Sequence, residues 1–67
     1  MIEIFINGER KTVDEHKALA VVLEENDFNC ARVAVAVNSE FVARGNYKNY
    51  FLKANDKLDV VAPVAGG

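Results

Sequence analysis

The sequence has one cysteine, Cys30, one histidine, His16, and one proline, Pro63, in 67 residues. A single cysteine closes no intramolecular disulfide, so the usual staple of small secreted domains is missing and a cytoplasmic home is expected. Neither Cys30 nor His16 has partners at ligand spacing, so no metal site is expected. Long apolar runs are absent too. The longest, residues 18–23, is far short of the roughly 20 residues that a membrane-spanning helix takes. Met1-Ile2-Glu3-Ile4 lacks the basic-then-apolar order of a leader, so no targeting or anchoring segment is expected. Ten acidic against eight basic residues give a net charge of -2, without the basic excess by which proteins bind nucleic acid or anionic membranes. No glycine-rich phosphate cradle occurs, so no bound nucleotide is expected.

What the chain has is a 51% hydrophobic fraction, enough for one compact core and, at this length, for one domain. Ile2, Ile4 and Ile6 alternate with Glu3 and Phe5, the period of a strand with its isoleucine face inward. Asn7-Gly8 reads as a type I′ hairpin turn, whose central residues need positive φ. A polar strand over residues 9–13 returns along the first, with Arg10 and Lys11 marking it as a sheet edge. Asp14 reads as the N-cap of a helix over residues 15–26, with Glu15 in its first turn. Leu19, Val22 and Leu23 share one helix face, Asn26-Asp27 ends it, and Phe28 is expected to fold back onto the core. Residues 33–37, Val-Ala-Val-Ala-Val, form a third strand, and Asn38-Ser39 turns it into a short fourth over residues 41–44. Residues 45–52 read as irregular or short-helical and residues 53–56 as a turn. Leu58, Val60 and Ala62 alternate with Asp59 and Val61 in a last strand that Pro63 stops.

The expected fold class is therefore α+β, a mixed five-stranded sheet around one main helix. Residues 1–62 form the domain, and residues 63–67 a flexible tail. That tail carries the chemistry. With no Cβ on Gly66 or Gly67, its backbone can thread a narrow channel and present a carboxylate inside another protein. From Ala62 to Gly67 the extended chain spans roughly 17 Å. A carboxylate is a poor electrophile and needs a leaving group such as AMP before transfer, so ATP belongs to a partner.

The order of elements is that of the β-grasp (ubiquitin-like) domains. The chain resembles the sulfur carrier proteins of thiamine biosynthesis, the ThiS family, over essentially its whole length. The resemblance is carried by Ile4-Phe5-Ile6-Asn7-Gly8, Val35-Ala36-Val37-Asn38 with Val42 and Arg44, Asn55-Asp56 with Leu58, and Pro63-Val64-Ala65-Gly66-Gly67. It implies that an E1-like adenylyltransferase (ThiF-like) activates the Gly67 carboxylate, that a sulfur donor protein converts it to a thiocarboxylate, and that a thiazole synthase (ThiG-like) receives the sulfur. Gly67 then bears the cargo, while Gly66, Ala65, Val64 and Pro63 thread. The chain itself would be a protein substrate rather than an enzyme, a monomer when free, and would bind no cofactor. The small subunit of molybdopterin synthase, with the same fold and terminal chemistry, is the alternative, and a ubiquitin-like interaction module a third. Two positions depart from the family's habit. Ala43-Arg44 stands where Pro-Arg is common, and Asn55-Asp56 where Gly-Asp is common. Asn tolerates the left-handed backbone that Gly supplies, so the second turn is expected to survive.

Alternation puts Phe5, Ala34, Ala36 and Val61 on the sheet face away from the helix, a candidate docking patch. Sulfur carriers dock through the sheet, and the resemblance favours this reading. Cys30 has no Cys-x-x-Cys neighbour and no His or paired base nearby in sequence to lower its pKa, and reads as a small apolar filler. His16 reads as solvent-exposed and Arg44 as a surface cation. Adjacent carboxylates in a helix, Glu24 with Glu25, point in different directions and form no catalytic pair; Asp14 with Glu15 reads the same way.

Overall fold

The computed structural model describes residues 1–62. Five strands, one α-helix and one 3₁₀ helix follow in the order β1 (Ile2–Ile6), β2 (Glu9–Val13), α1 (Leu19–Glu25), β3 (Ala34–Val37), β4 (Glu40–Val42), the 3₁₀ helix (Arg44–Asn49) and β5 (Lys57–Val61). The strands make one sheet in the order β2-β1-β5-β3-β4. β1 and β5 run parallel and the other neighbours antiparallel, so the mixed sheet is as expected. The first and last strands of the chain lie side by side at its centre.

Both hairpins turn on two residues at positive φ. Asn7 (51°) and Gly8 (85°) join Ile6 to Glu9, and Asn38 (52°) and Ser39 (71°) join Val37 to Glu40. These are the torsions whose twist matches that of the flanking strands. Asn55 also sits at positive φ, 70°, so the turn before β5 survives without glycine.

The inward face of the sheet presents Ile4, Ile6, Val13, Val35, Val37, Val42, Leu58 and Val60, all buried. Leu19, Val22 and Leu23 of α1 close over it with no exposed surface. The i, i+3, i+4 spacing places these three on one helix face, and Val21, off that face, is exposed.

The helix starts later than expected. Asp14 does not cap it. The Asp14 Oδ1 instead accepts the His16 N–H at 2.8 Å, tightening a turn that occupies the residues assigned to the first helical turn. That turn lets Ala18 bridge Phe51 and lets Leu19 N–H reach the Tyr50 carbonyl at 2.7 Å, so a tertiary partner satisfies one of the N–H groups that the first helical turn leaves without an intrahelical acceptor. The C-terminus fits the expectation. Asp27, at φ 67°, donates to Glu24 O, and Phe28 N–H reaches back to Leu23 O at 2.9 Å, a Schellman closure that folds Phe28 against the core.

β4 is shorter than residues 41–44. Its pairing with β3 spans Glu40 to Val42, and Arg44 already belongs to the 3₁₀ helix. That helix brings Tyr47 into the core with its hydroxyl donating to Val33 O at 3.1 Å, and Leu52 is buried just beyond it. β5 ends at Val61; Ala62, expected on the core face, is exposed and outside the strand.

Candidate functional site

The sequence-assigned site has two parts, the segment that leaves β5 and the outer face of the sheet. Pro63, Val64, Ala65, Gly66 and Gly67 lie outside the described residues. What the structure describes is the base from which they depart.

Ladder pairing of β5 with β1 ends at Ile6↔Leu58, and Asn7 N–H adds one more bond to Leu58 O at 2.8 Å. Two residues further on, β1 has already turned into its hairpin, which leaves the Val60 N–H and C=O facing no strand. The Asn7 side chain takes both: Val60 N–H donates to Oδ1 at 2.8 Å and Nδ2 donates to Val60 O at 3.1 Å. A primary amide carries a donor and an acceptor side by side, as a strand residue does, so Asn7 extends the ladder by one rung. On the other side Val61 pairs with Ala34 of β3.

The other hairpin treats the start of β5 in the same manner. Asn38 N–H donates to Lys57 O at 2.8 Å, its Oδ1 accepts Lys57 N–H at 3.0 Å, and its Nδ2 reaches Asp56 Oδ1 at 2.9 Å. Asp56, buried, uses its second oxygen to accept Lys53 N–H at 2.8 Å. The central strand is thus held at both ends by hairpin-turn asparagines.

On the outer face Val61 and Ala34 are direct cross-strand partners, and Ala36 follows Ala34 on the same side of β3. Phe5 shares the face but is the register partner of none of these three. It stands opposite Arg10 of β2, whose guanidinium lies 6.0 Å from the ring centre, and opposite Lys57 of β5. Asp59, partner of Ala36, completes the charged strip between Phe5 and the β3 alanines. Sequence reasoning left out Phe41, which pairs with Ala36 on β4 and is 74% exposed. The signal was present: with Val42 inward, alternation sends Phe41 outward. A shallow depression of about 510 Å³ runs from Phe5 past Gly8 to Asn38, Ser39, Lys57 and Asp59.

Cys30 is half-buried with its thiol directed at Ala20 O, 3.3 Å away, and burial, with Glu24 nearby, pushes its pKa up. That is the reverse of what a reactive thiol needs. His16 and Arg44 are exposed. Among the described residues no three His, Cys, Asp or Glu side chains come together to hold a metal. No helix among them is long and apolar enough to cross a membrane.

A five-stranded mixed sheet in this order, packed on one α-helix, defines the β-grasp class of domains. Within that class the chain belongs to the ThiS family, whose profile matches residues 4–67. It is 32% identical over 66 residues to the uncharacterised protein ycf40 of Porphyra purpurea, covering 98% of this chain and 93% of that one. It is also 30% identical over 66 residues to a thiazole synthase of Paramagnetospirillum magneticum, where 98% of this chain matches only 20% of that protein. In fold it is similar to the crystal structure of the thiamine biosynthesis protein ThiS of Geobacter metallireducens, with a TM-score of 0.81, 23% identity, and coverage of 98% of this chain and 100% of that one. Membership in this family supports a sulfur carrier role in thiamine biosynthesis.

Proposed function

We propose that this chain is the sulfur carrier for thiazole formation and that the Gly67 carboxylate is its working group. The observation that carries this reading is that the family match, over residues 4–67, includes Pro63-Val64-Ala65-Gly66-Gly67. The carboxylate attacks the α-phosphorus of ATP on an E1-like adenylyltransferase, forming an acyl adenylate and releasing pyrophosphate. Sulfide, free or delivered by a sulfur donor protein, then adds to the acyl carbon. The C–O bond to AMP breaks as the C–S bond forms, which leaves a thiocarboxylate and AMP with no change in oxidation level. The thiocarboxylate passes its sulfur to a thiazole synthase. Similarity to part of a protein of that name supports this acceptor over a molybdopterin-forming one.

In this reading the chain is a protein substrate, binds no cofactor and works in the cytoplasm, where ATP and its partners are found. The outer sheet face docks the activating enzyme, with Phe5, Ala34, Ala36 and Val61 as contacts. Ordering each tail residue costs about 1–2 kcal/mol, so affinity has to come from the globular part. Intact-protein mass spectrometry after incubation with an E1-like enzyme, ATP and sulfide tests the proposal. One oxygen replaced by sulfur, mapped to Gly67, is expected; a gain on Cys30, or none, overturns it. Rescue of a thiazole-requiring strain, and not of a molybdopterin-deficient one, separates the two sulfur pathways.

A further inference from the structure

We infer that Asn7 is a positioning residue for the carrier chemistry: its side-chain amide closes the β-ladder at Val60 and so fixes the point and direction from which the chain runs toward Gly67. This rests on the carrier reading above. Four observations support it. The β1–β5 ladder stops at Leu58, two residues short of Val60. Among the described residues, the only hydrogen bonds that Val60 makes on the β1 side are the pair with Asn7, at 2.8 and 3.1 Å. Asn7 also occupies a turn position at φ 51°, where Asn, Asp and Gly are tolerated and most residues are strained. The residue therefore has two separable jobs, the turn and the clamp. Finally, Val61 retains its partner on the β3 side, so losing the clamp frees one edge of the strand end and does not detach it.

Simple lengthening of the leash is a weak effect. If the ordered strand receded from Val61 to Asp59, two more residues would join the six that follow it, and effective concentration would fall by less than about twofold. Orientation is the larger effect, because an acyl centre displaced by about 1 Å from the attacking geometry can lose about 100-fold in rate. A root hydrogen-bonded on both edges limits the directions the following residues sample. A root held only by β3 pivots.

The substitution Asn7→Gly keeps the turn torsions and removes the amide, while Asn7→Asp keeps the turn and the acceptor but sets a carboxylate oxygen against the Val60 carbonyl. Two measurements are made at a temperature where all variants are fully folded. Without any partner, the Val60 amide is expected to exchange with solvent about tenfold faster in Asn7→Gly than in the wild type, while the Val35 amide in the core changes much less. With E1-like enzyme and ATP, pyrophosphate exchange is expected to show kcat lowered about fivefold in Asn7→Gly at a KM within about twofold of wild type, with Asn7→Asp between the two. A residue that served only stability would leave both kinetic constants of the folded protein unchanged. Unaltered Val60 exchange overturns the clamp, and faster exchange with unaltered kcat overturns the positioning role. A wild-type chain that is never adenylated overturns the carrier reading instead, and the exchange comparison then decides the clamp alone.

Discussion

Replacing Asp56 by alanine is expected to cost about 2–4 kcal/mol, a large share of what a domain this size has. The carboxylate is buried and accepts two hydrogen bonds, from Asn38 Nδ2 at 2.9 Å and from Lys53 N–H at 2.8 Å. Bonds to such a group contribute about 1.5–3 kcal/mol each. The lower end applies because both donors are only partly buried and water can replace some of what is lost. Asn38 has no easy alternative: its Oδ1 is engaged by Lys57 N–H, so flipping the amide breaks one bond to remake another. Stability of about 0.05–0.15 kcal/mol per residue gives this chain about 3–10 kcal/mol in all. The melting temperature is therefore expected to fall by about 10–25 °C. Urea unfolding followed by circular dichroism, for Asp56→Ala, Asn38→Ala and the double variant, measures both the cost and the coupling between the two side chains. A loss below about 0.5 kcal/mol, or additive single losses, would refute the view that this pair anchors the start of β5.

Ser39→Gly is expected to stabilise the domain by about 0.5–1 kcal/mol, since relief of the left-handed strain at φ 71° exceeds the added chain entropy of glycine; a lower urea midpoint would count against it. The half-buried Cys30, its pKa raised chiefly by desolvation, is expected to react with iodoacetamide more slowly at neutral pH than a free cysteine, and to gain rate only as pH rises past the free thiol's range. Equal rates would show the thiol to be open. Phe5→Asp should keep the fold, as Arg10 and Lys57 flank the new carboxylate, while weakening binding to the activating enzyme by about 1–3 kcal/mol in calorimetry. Unchanged affinity would remove Phe5 from the docking face.

Period-2 and period-3.6 patterns carried most of the fold. Ile4 and Ile6, Leu19 with Val22 and Leu23, Val35 with Val37, and Leu58 with Val60 are all buried where alternation or helical spacing puts them. The two Asn-containing turns were legible because few residues accept positive φ. What escaped was set by tertiary partners. Asp14 is a good cap by type, yet the helix starts five residues on because the Tyr50 carbonyl receives Leu19 N–H. Tyr47 belongs to no periodic segment and becomes core through a single 3₁₀ helix. On the candidate site, alternation assigned the correct face to Phe5 and Val61 but said nothing of strand order. Only the parallel β1–β5 pairing shows that Lys57 and Asp59 stand between Phe5 and the alanines. The side-chain rung from Asn7 to Val60 spans 53 positions of sequence, and local pattern does not reach that far.

The adjacency of β1 and β5 also bears on how the protein is made. A nascent chain emerging from the ribosome exposes β1 first, yet its central neighbour consists of residues 57–61. Until those residues are out, β1 and β3 have no strand between them and the inward face has no complete sheet to close on. Folding of so non-local a pairing is comparatively slow and waits for nearly the whole of these 67 residues. A chain that stops before β5 therefore lacks the strand that joins β1 to β3 and is expected to stay unfolded and open to proteases. Strand order thus ties folding to synthesis: the domain cannot close its sheet until the chain has been read through residue 61.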